Sequence, residues 1–134
     1  MYLLDTDISI YLLNGRLPQV SARLADLDRD EIGTTAITAA ELRFGALHSG
    51  RPHHNLPRVE AFLAPLQQIP FDSSAAIFFG RIKNDLISRG SMIGLMDLLI
   101  ASCTLAVGGT LVTNNLREFS RVSSLSVENW AVSP

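Results

Sequence analysis

Three acidic residues of this chain stand among apolar neighbours, where an ionised carboxylate costs free energy unless a partner compensates it. Asp5 ends a short apolar run, Glu41 lies in a weakly polar stretch rich in alanine and threonine, and Asp97 is the only charge within residues 92–101. No lysine or arginine is close to Asp5 or Asp97 in sequence, so a bound cation is the natural compensating charge. With Glu118 as a fourth acid, the set predicts a metal site made of carboxylates.

Such a set of carboxylates points to metal-assisted hydrolysis. Carboxylates held close to one another repel, which raises the pKa of at least one of them until a divalent cation removes the penalty. Ligands made only of oxygen favour Mg²⁺, with Mn²⁺ as a substitute, over zinc. Because such an ion polarises a phosphoryl oxygen and activates water, we expect hydrolysis of a phosphodiester bond with Asp5, Glu41, Asp97 and Glu118 as the catalytic set.

Short apolar runs separated by turn residues predict the elements that must position these acids. Strands are predicted at residues 2–4, 32–34, 68–71, 110–113 and 125–128. Helices are predicted at residues 8–13, 20–27, 38–48, 59–66, 73–88 and 96–107, with a loop at 50–55. The alternation predicts an α/β fold in one domain of residues 1–134, a three-layer sandwich around a short, mostly parallel central sheet.

The carboxyl ends of parallel strands meet at one edge of a sheet, and the functional crevice of an open α/β sheet lies there. Asp5 directly follows the first predicted strand, and Asn115 and Glu118 follow the fourth, so these side chains should emerge together. Glu41 and Asp97 would arrive on helices, each on a face that points inward. We therefore expect the four acids at one edge of the sheet.

Each acid also has a purely structural interpretation. Thr38 and Glu41 have the spacing of a capping box, in which Glu41 would only bond back to the helix start. Asp97 follows a glycine at a position suited to an N-cap, and Glu118 also fits a solvated charge on a short helical turn. The predicted helix caps are Thr6 or Asp7 for the first helix, Thr38 for the third, and Ser73 or Ser74 for the long helix.

Composition limits the class of protein and the cellular compartment to which the chain can belong. Hydrophobic residues make up 47% of the chain and charged residues 18%, which is typical of a compact globular protein. No apolar run reaches the ~18 residues that span a bilayer, and the N-terminus lacks the basic segment of a signal peptide. The single cysteine, Cys103, falls in a predicted helix, where we expect a packed thiol. Together these features predict a cytoplasmic protein.

The net charge of −2 does not by itself indicate a nucleic-acid partner. If the acids hold a cation, the remaining surface is closer to neutral or basic, and its cationic side chains either contact phosphates or are ordinary solvated charges. These residues are Arg16, Arg43, Arg51, Arg58, Arg81, Lys83, Arg89, Arg117 and Arg121. His48, His53 and His54 are expected to be solvated, because zinc would need further ligands at suitable spacing.

Four segments, taken in order, also match a known family. They are Leu4-Asp5-Thr6-Asp7-Ile8, Thr38 to Ala46, Ile93 to Ala101 and Leu111 to Phe119, followed by Leu125 and Glu128-Asn129-Trp130. Through these segments the chain resembles the PIN-domain ribonucleases, specifically the VapC-type toxins of bacterial toxin–antitoxin pairs. Each segment alone is weak evidence, but together they cover nearly the whole chain.

The resemblance implies a PIN-like fold and a Mg²⁺-dependent endoribonuclease. It also implies a homodimer, and a hetero-oligomer with a VapB-like antitoxin that inhibits the enzyme, with no membrane association. By the same resemblance, Asp5 and Asp97 are the principal metal ligands and Glu41 completes the acidic site. The segment from Thr113 to Phe119 resembles the subgroup that cuts initiator tRNA, so the expected substrate is structured RNA such as a tRNA.

The chain departs from the family pattern in two places. Asp7 stands where the family commonly has asparagine, and it either adds charge to the site or only caps a helix. Many relatives place an aspartate close after the threonine of the last segment, whereas here Asn115 and Glu118 share that region, and either one completes the site. Thr6, Asp7, Thr113 and Asn115 are therefore taken as supporting residues.

Two other functions compete with a nuclease. Asp5-Thr6-Asp7 resembles the Asp-x-Asp of haloacid-dehalogenase phosphatases, in which the first aspartate is a nucleophile. That family also needs a lysine and a later acidic pair, but Lys83 is the only lysine and no acidic pair follows the fourth strand. The second alternative is an inactive interaction module that binds partner helices through apolar surfaces such as residues 75–79.

Overall fold

A central parallel sheet organises the structure, a computed structural model that describes residues 1–131. Its strands are β1 (Tyr2–Leu4), β2 (Ile32–Thr35), β3 (Gln67–Ile69), β4 (Thr110–Val112) and β5 (Ser126–Glu128). All pairings are parallel, and the spatial order is β3-β2-β1-β4-β5. The chain builds outward from β1 to β3 and then crosses over to β4, so the switch in direction lies between β1 and β4. Ligand crevices of open sheets form at such switch points.

Seven helices cover this sheet. They are α1 (Thr6–Leu13), α2 (Pro18–Ala25), α3 (Ala36–Leu47), α4 (Pro52–Leu63), α5 (Ser73–Ser88), α6 (Leu95–Ala106) and α7 (Leu116–Phe119), counted within residues 1–131. Together with the sheet order they confirm the predicted α/β sandwich, and the sheet is parallel throughout.

Alternation along the strands separates the two outer layers, because successive side chains of a strand point to opposite faces. Leu3 and Leu111 lie in a buried cluster with residues of α5 and α6. Leu4 and Val112, one position further along the same strands, lie in a second cluster with residues of α1 and α2. A third cluster joins α3 to α4. Gly33 of β2 is required by close packing, since a Cβ there would come 2.9 Å from the Gln67 carbonyl oxygen.

The predicted helix caps were wrong at three helices. Asp5 caps α1, with its carboxylate accepting from the Ile8 N–H at 2.9 Å, and not Thr6 or Asp7. Thr35 caps α3, not Thr38, and Asp72 caps α5, not Ser73 or Ser74. In each case the capping residue has extended backbone and ends the preceding strand or loop. Each observed cap lies one to three residues before the predicted one.

The largest error in the predicted elements concerns α4. Residues 50–55 were expected to form a loop, but the helix begins at Pro52 and contains Pro57. Pro52 occupies the first helical position, where a missing N–H costs nothing. The N–H of Asn55 closes the first turn on the carbonyl of Arg51 at 2.9 Å. Pro57 is exposed and interrupts the bonding of one turn without ending the helix.

The prediction for the single cysteine is confirmed. Cys103 is fully buried, and burial raises the pKa of its thiol to about 11, as expected for a packed side chain. Within the part of the chain that the structure describes, no helix has both the length and the apolar character needed to cross a bilayer.

Candidate active site

Asp5 emerges from the middle of the sheet, at the carboxyl end of β1. It is only 3% exposed. Its carboxylate accepts hydrogen bonds from the Ile8 N–H and from the hydroxyl of Thr113. Burial raises the pKa of Asp5 to about 6, even though both hydrogen bonds oppose that rise, and the charges of Asp7 and Glu41 add to it. Asp5 is therefore both a helix cap and a buried carboxylate that forms no salt bridge within residues 1–131.

Thr113 connects the two central strands at this edge. It follows β4 and is fully buried. Its hydroxyl donates to Asp5, and its oxygen accepts from the N–H of Asn115 at 2.8 Å. The same hydroxyl therefore fixes the orientation of the Asp5 carboxylate and the path of the chain from β4 into α7.

Asp97 and Glu118 form a carboxyl–carboxylate pair. Burial is the main cause that raises the pKa of Asp97 to about 8, followed by its hydrogen bond to Glu118 and by the charges of Glu118, Asp5 and Asp7. The pKa of Glu118 is lowered, chiefly because Asp97 donates to its charged form. Asp97 thus carries the proton of the pair. Since Gly94 is the N-cap of α6, the interpretation of Asp97 as a helix cap was wrong.

Glu41 reaches toward α1. Its Oε1 accepts from the Thr6 hydroxyl at 2.7 Å, and Thr6 lies 3.1 Å from the hydroxyl of Thr38. Thr35, not Thr38, caps α3, so the interpretation of Glu41 as half of a capping box was also wrong. Its carboxylate instead links α3 to the residue that follows Asp5.

The structure brings the predicted acids to one end of the sheet without forming a ready metal cage. Asp7 and Glu41 act electrostatically on Asp5, while Asp5, Asp7 and Glu118 act on Asp97. Yet among residues 1–131 no three His, Cys, Asp or Glu side chains are grouped closely enough to hold one ion. Each acid instead forms a hydrogen bond within the protein: Asp5 with Thr113, Glu41 with Thr6, and Asp97 with Glu118.

The chemistry of these donors nevertheless fits a hard divalent cation. Every candidate ligand is an oxygen, the donor type that Mg²⁺ and Mn²⁺ prefer. Two carboxyls have raised pKa values because they are buried among other acids, the arrangement that a bound cation relieves. The three histidines are exposed on α3 and α4 and, in the described residues, form no cluster with other ligand types.

Two arginines border the acidic site. Arg121 donates to the Met92 carbonyl at 2.8 Å, and its charge helps to lower the pKa of Glu118. Arg58 donates to the Leu13 carbonyl and to Asn55. The sequence did not distinguish either one from the other basic residues, because the Met92 and Leu13 carbonyls that hold them lie 29 and 45 positions away in the chain. Arg43 and Arg89, by contrast, pair with Glu60 and Asp85 at 2.7 Å.

A groove of about 260 Å³ opens beside Glu41 between α1, α3 and α4. Its walls include Ile10, Leu42 and Val59, with Glu41 and Arg58 as its charged members. Gly45 also lines it, and no other heavy atom lies within 4 Å of the place where a Cβ would project from that glycine. The absence of a side chain at Gly45 therefore leaves space in the groove beside Glu41.

Residues 2–125 match the PIN domain. The chain belongs to the PIN-domain family. A Haemophilus influenzae relative, "Ribonuclease VapC2", is 39% identical, and the match covers 96% of this chain and 97% of the relative. The "tRNA(fMet)-specific endonuclease VapC" of Salmonella typhimurium is 34% identical over the same shares of the two chains.

The solved structures agree with this assignment. A chain of the DNA-bound VapBC from Salmonella typhimurium has a TM-score of 0.91 at 34% identity, and the match covers 96% of this chain and 97% of that one. The predicted resemblance is therefore confirmed, and this PIN domain is of the VapC ribonuclease type. The phosphatase alternative was wrong, because its Asp-x-Asp motif belongs here to a PIN domain.

Proposed function

We propose that this PIN domain is the Mg²⁺-dependent endoribonuclease toxin of a type II toxin–antitoxin pair, and that it hydrolyses structured RNA, with initiator tRNA as the first candidate. The observation that carries the proposal is the pair Asp5 and Asp97 at the switch point of the sheet. Asp5 is buried, Asp97 is half-buried, and the pKa values of both are raised. The ribonuclease and tRNA(fMet) endonuclease names of its relatives support the substrate class.

In this proposal Asp5 and Asp97 hold the metal ion, which, when bound, polarises the phosphoryl oxygen and lowers the pKa of the attacking water. Thr113 keeps the Asp5 carboxylate in one orientation. In the metal-free protein the Glu118 carboxylate accepts the hydrogen bond of the protonated Asp97 and keeps that carboxyl facing the site. Glu41 completes the acidic set and orients the water.

The basic residues at the border of the site suit the RNA backbone. Arg121 lies close enough to Glu118 to influence its pKa, and Arg58 lies in the groove that Glu41 lines. Guanidinium groups bind phosphate oxygens with matched geometry. We assign these two arginines to phosphates that flank the cleaved bond.

The proposed partner is a VapB-like antitoxin, as in the similar VapBC complex from Salmonella typhimurium, bound to a homodimer of this chain. The groove beside Glu41 suits a protein segment, because it is mainly apolar and leads to the acidic site. Ile10, Phe44 and Leu47 add exposed apolar side chains on α1 and α3. A segment bound there would cover the way to Glu41.

The proposal is tested with purified chain freed of its partner, end-labelled tRNAs, and Mg²⁺ or EDTA. We expect a defined cut in few tRNAs with Mg²⁺ and none with EDTA. Asp5→Asn and Asp97→Asn should each lower the rate by ~100-fold or more. Asp85→Asn, which removes an exposed acid of α5 paired with Arg89, is the control and should cut normally.

Three outcomes would contradict the proposal. Cutting that persists in EDTA would exclude the metal, and wild-type rates in Asp5→Asn and Asp97→Asn would exclude the site. Wild-type protein that binds RNA with Mg²⁺ but never cuts it would favour the interaction-module alternative.

A further inference from the structure

Thr6 is the first residue of α1 and lies between two side chains of α3. Its Oγ1 is 2.7 Å from Oε1 of Glu41 and 3.1 Å from Oγ1 of Thr38. Thr38 is fully buried and lies one helical turn before Glu41. Beyond it, the hydroxyl of Thr35 lies 3.5 Å from the hydroxyl of Thr38. Three hydroxyls thus form a row from the end of β2 to the Glu41 carboxylate.

The number of available protons fixes which hydroxyl donates and which accepts along this row. A hydroxyl has a single proton to donate, and an ionised carboxylate can only accept. Thr6 therefore donates to Glu41, which leaves its oxygen to accept from Thr38. Thr35 in turn donates to Thr38, while its own oxygen accepts from the Thr38 N–H at 3.1 Å. Hydrogen bonds aligned in this way polarise and strengthen one another.

The space around Glu41 indicates where its side chain would move without the hydrogen bond from Thr6. Glu41 lines the groove between α1, α3 and α4, and Gly45, one turn further along the same helix face, leaves the space beside it open. Its long side chain could turn into that groove. Thr6 also directly follows Asp5 in the chain, so its hydroxyl couples the position of Glu41 to that of Asp5.

We propose that Thr6 is a positioning residue, which acts through the hydroxyl row from Thr35 and Thr38 to hold the Glu41 carboxylate at the acidic site and out of the groove. The inference rests on the proposed nuclease function, because its consequence is for RNA cleavage. Thr6 itself touches no reacting atom in this scheme. Its contribution is the orientation of Glu41, and misplacement of such a group by an ångström has a large effect on rate.

The first test compares Thr6→Val, which keeps the shape and removes the hydroxyl, with Thr6→Ser, which keeps the hydroxyl. We expect Thr6→Val to lower kcat for RNA cleavage by ~10-fold or more with KM nearly unchanged, and Thr6→Ser to restore most of the rate. The control is Thr104→Val, which removes a buried hydroxyl bonded only to the Ile100 carbonyl at 2.8 Å and should leave kcat unchanged. Wild-type kcat in Thr6→Val, or equal loss in Thr6→Ser, would overturn the proposal.

The second test is a double-mutant cycle with Glu41→Gln. If Thr6 acts only through Glu41, adding Thr6→Val to Glu41→Gln should lower kcat by less than ~2-fold, whereas independent roles would make the two losses multiply. Multiplying losses would overturn the proposal.

A third measurement does not depend on activity and separates this inference from the proposed function. NMR scalar couplings should show one χ1 rotamer of Glu41 in the wild type and in Thr6→Ser, and rotamer averaging in Thr6→Val. If the wild type cuts no RNA but these couplings behave as expected, the proposed function fails and the positioning contact stands. A fixed Glu41 rotamer in Thr6→Val overturns the inference whatever the activity.

Discussion

Asp97 shows most clearly how the candidate site lowers the free energy of unfolding of the metal-free protein. In an unfolded chain its carboxyl would lose its proton near the ordinary value of 3.8, but in the folded protein its pKa is about 8. As the pH rises from about 4 to about 8, the unfolded chain releases this proton first. The free energy of unfolding of the metal-free protein therefore falls across that window. Asp5 adds a smaller loss of the same sign between about 4 and 6.

From this sign we predict that Asp97→Asn stabilises the metal-free protein at pH 8 by about 1–2 kcal/mol. The amide can still donate to Glu118 but carries no buried charge. At pH 4, where the wild-type carboxyl is protonated in the folded state, the gain should disappear. Urea unfolding of both proteins at the two pH values measures the difference. Asp85→Asn is the control, and an equal gain from Asp97→Asn at both pH values would contradict the electrostatic cause.

The residues of the site were predicted from the sequence to different extents. Asp5 and Asp97 could be recognised because a charge among apolar neighbours is costly in any fold. The contact of Thr6 with Glu41 spans 35 positions, and no local pattern predicts it. The proton shared by Asp97 and Glu118 likewise depends on how α6 and α7 meet at the sheet edge. Sequence types thus indicated the chemistry, whereas the hydrogen bonds required the fold.

At the level of elements, strands were easier to predict than helix ends. The central strands β1 and β4 are short, largely apolar runs, and the predicted positions of all five strands agree with the structure to within two residues at each end. The cap predictions were wrong because the observed caps end the preceding strand or loop and start the helix at the same residue. These caps are Asp5, Thr35 and Asp72. The predicted start of α4 at residue 59 was wrong because proline usually stands at a helix start, whereas Pro57 lies inside this helix.

The cap of α5 gives a direct test at this scale. We predict that Asp72→Ala lowers the free energy of unfolding by about 1 kcal/mol, because the Ala75 N–H loses its acceptor at 3.0 Å. Ser73→Ala and Ser74→Ala, the residues that the sequence suggested as caps, should change it by less than ~0.5 kcal/mol. Thermal or urea unfolding of the three variants measures the order. A larger loss in either serine variant would contradict the observed cap.

For the whole molecule, the fold class followed from the alternation of strands and helices, but the sheet order did not. Local patterns cannot say that β1 lies between β2 and β4, because that choice depends on packing across the entire chain. The resemblance to PIN domains implied a PIN-like fold, and the strand order came from the structure. The groove between α1, α3 and α4 also arises only when those helices are assembled.

That groove permits a prediction about the assembled toxin–antitoxin complex. Gly45→Gln would place a polar side chain in the groove, whereas Gly80→Gln would place one on an exposed turn of α5, and neither position has a heavy atom within 4 Å of the added Cβ. We expect Gly45→Gln to weaken antitoxin binding ~10-fold or more and Gly80→Gln to leave it unchanged. Titration calorimetry with the antitoxin measures both. Equal affinities would show that the partner binds elsewhere.

The central place of β1 also has a consequence for how the protein is made. During synthesis β1 is made long before its neighbour β4, which begins only at residue 110, and Asp5 is made 108 positions before the hydroxyl that bonds to it. A nascent polypeptide therefore carries Asp5 without its Thr113 hydrogen bond until residue 113 has been synthesised. Before that point, ribosomal RNA would meet no assembled acidic site on the growing chain.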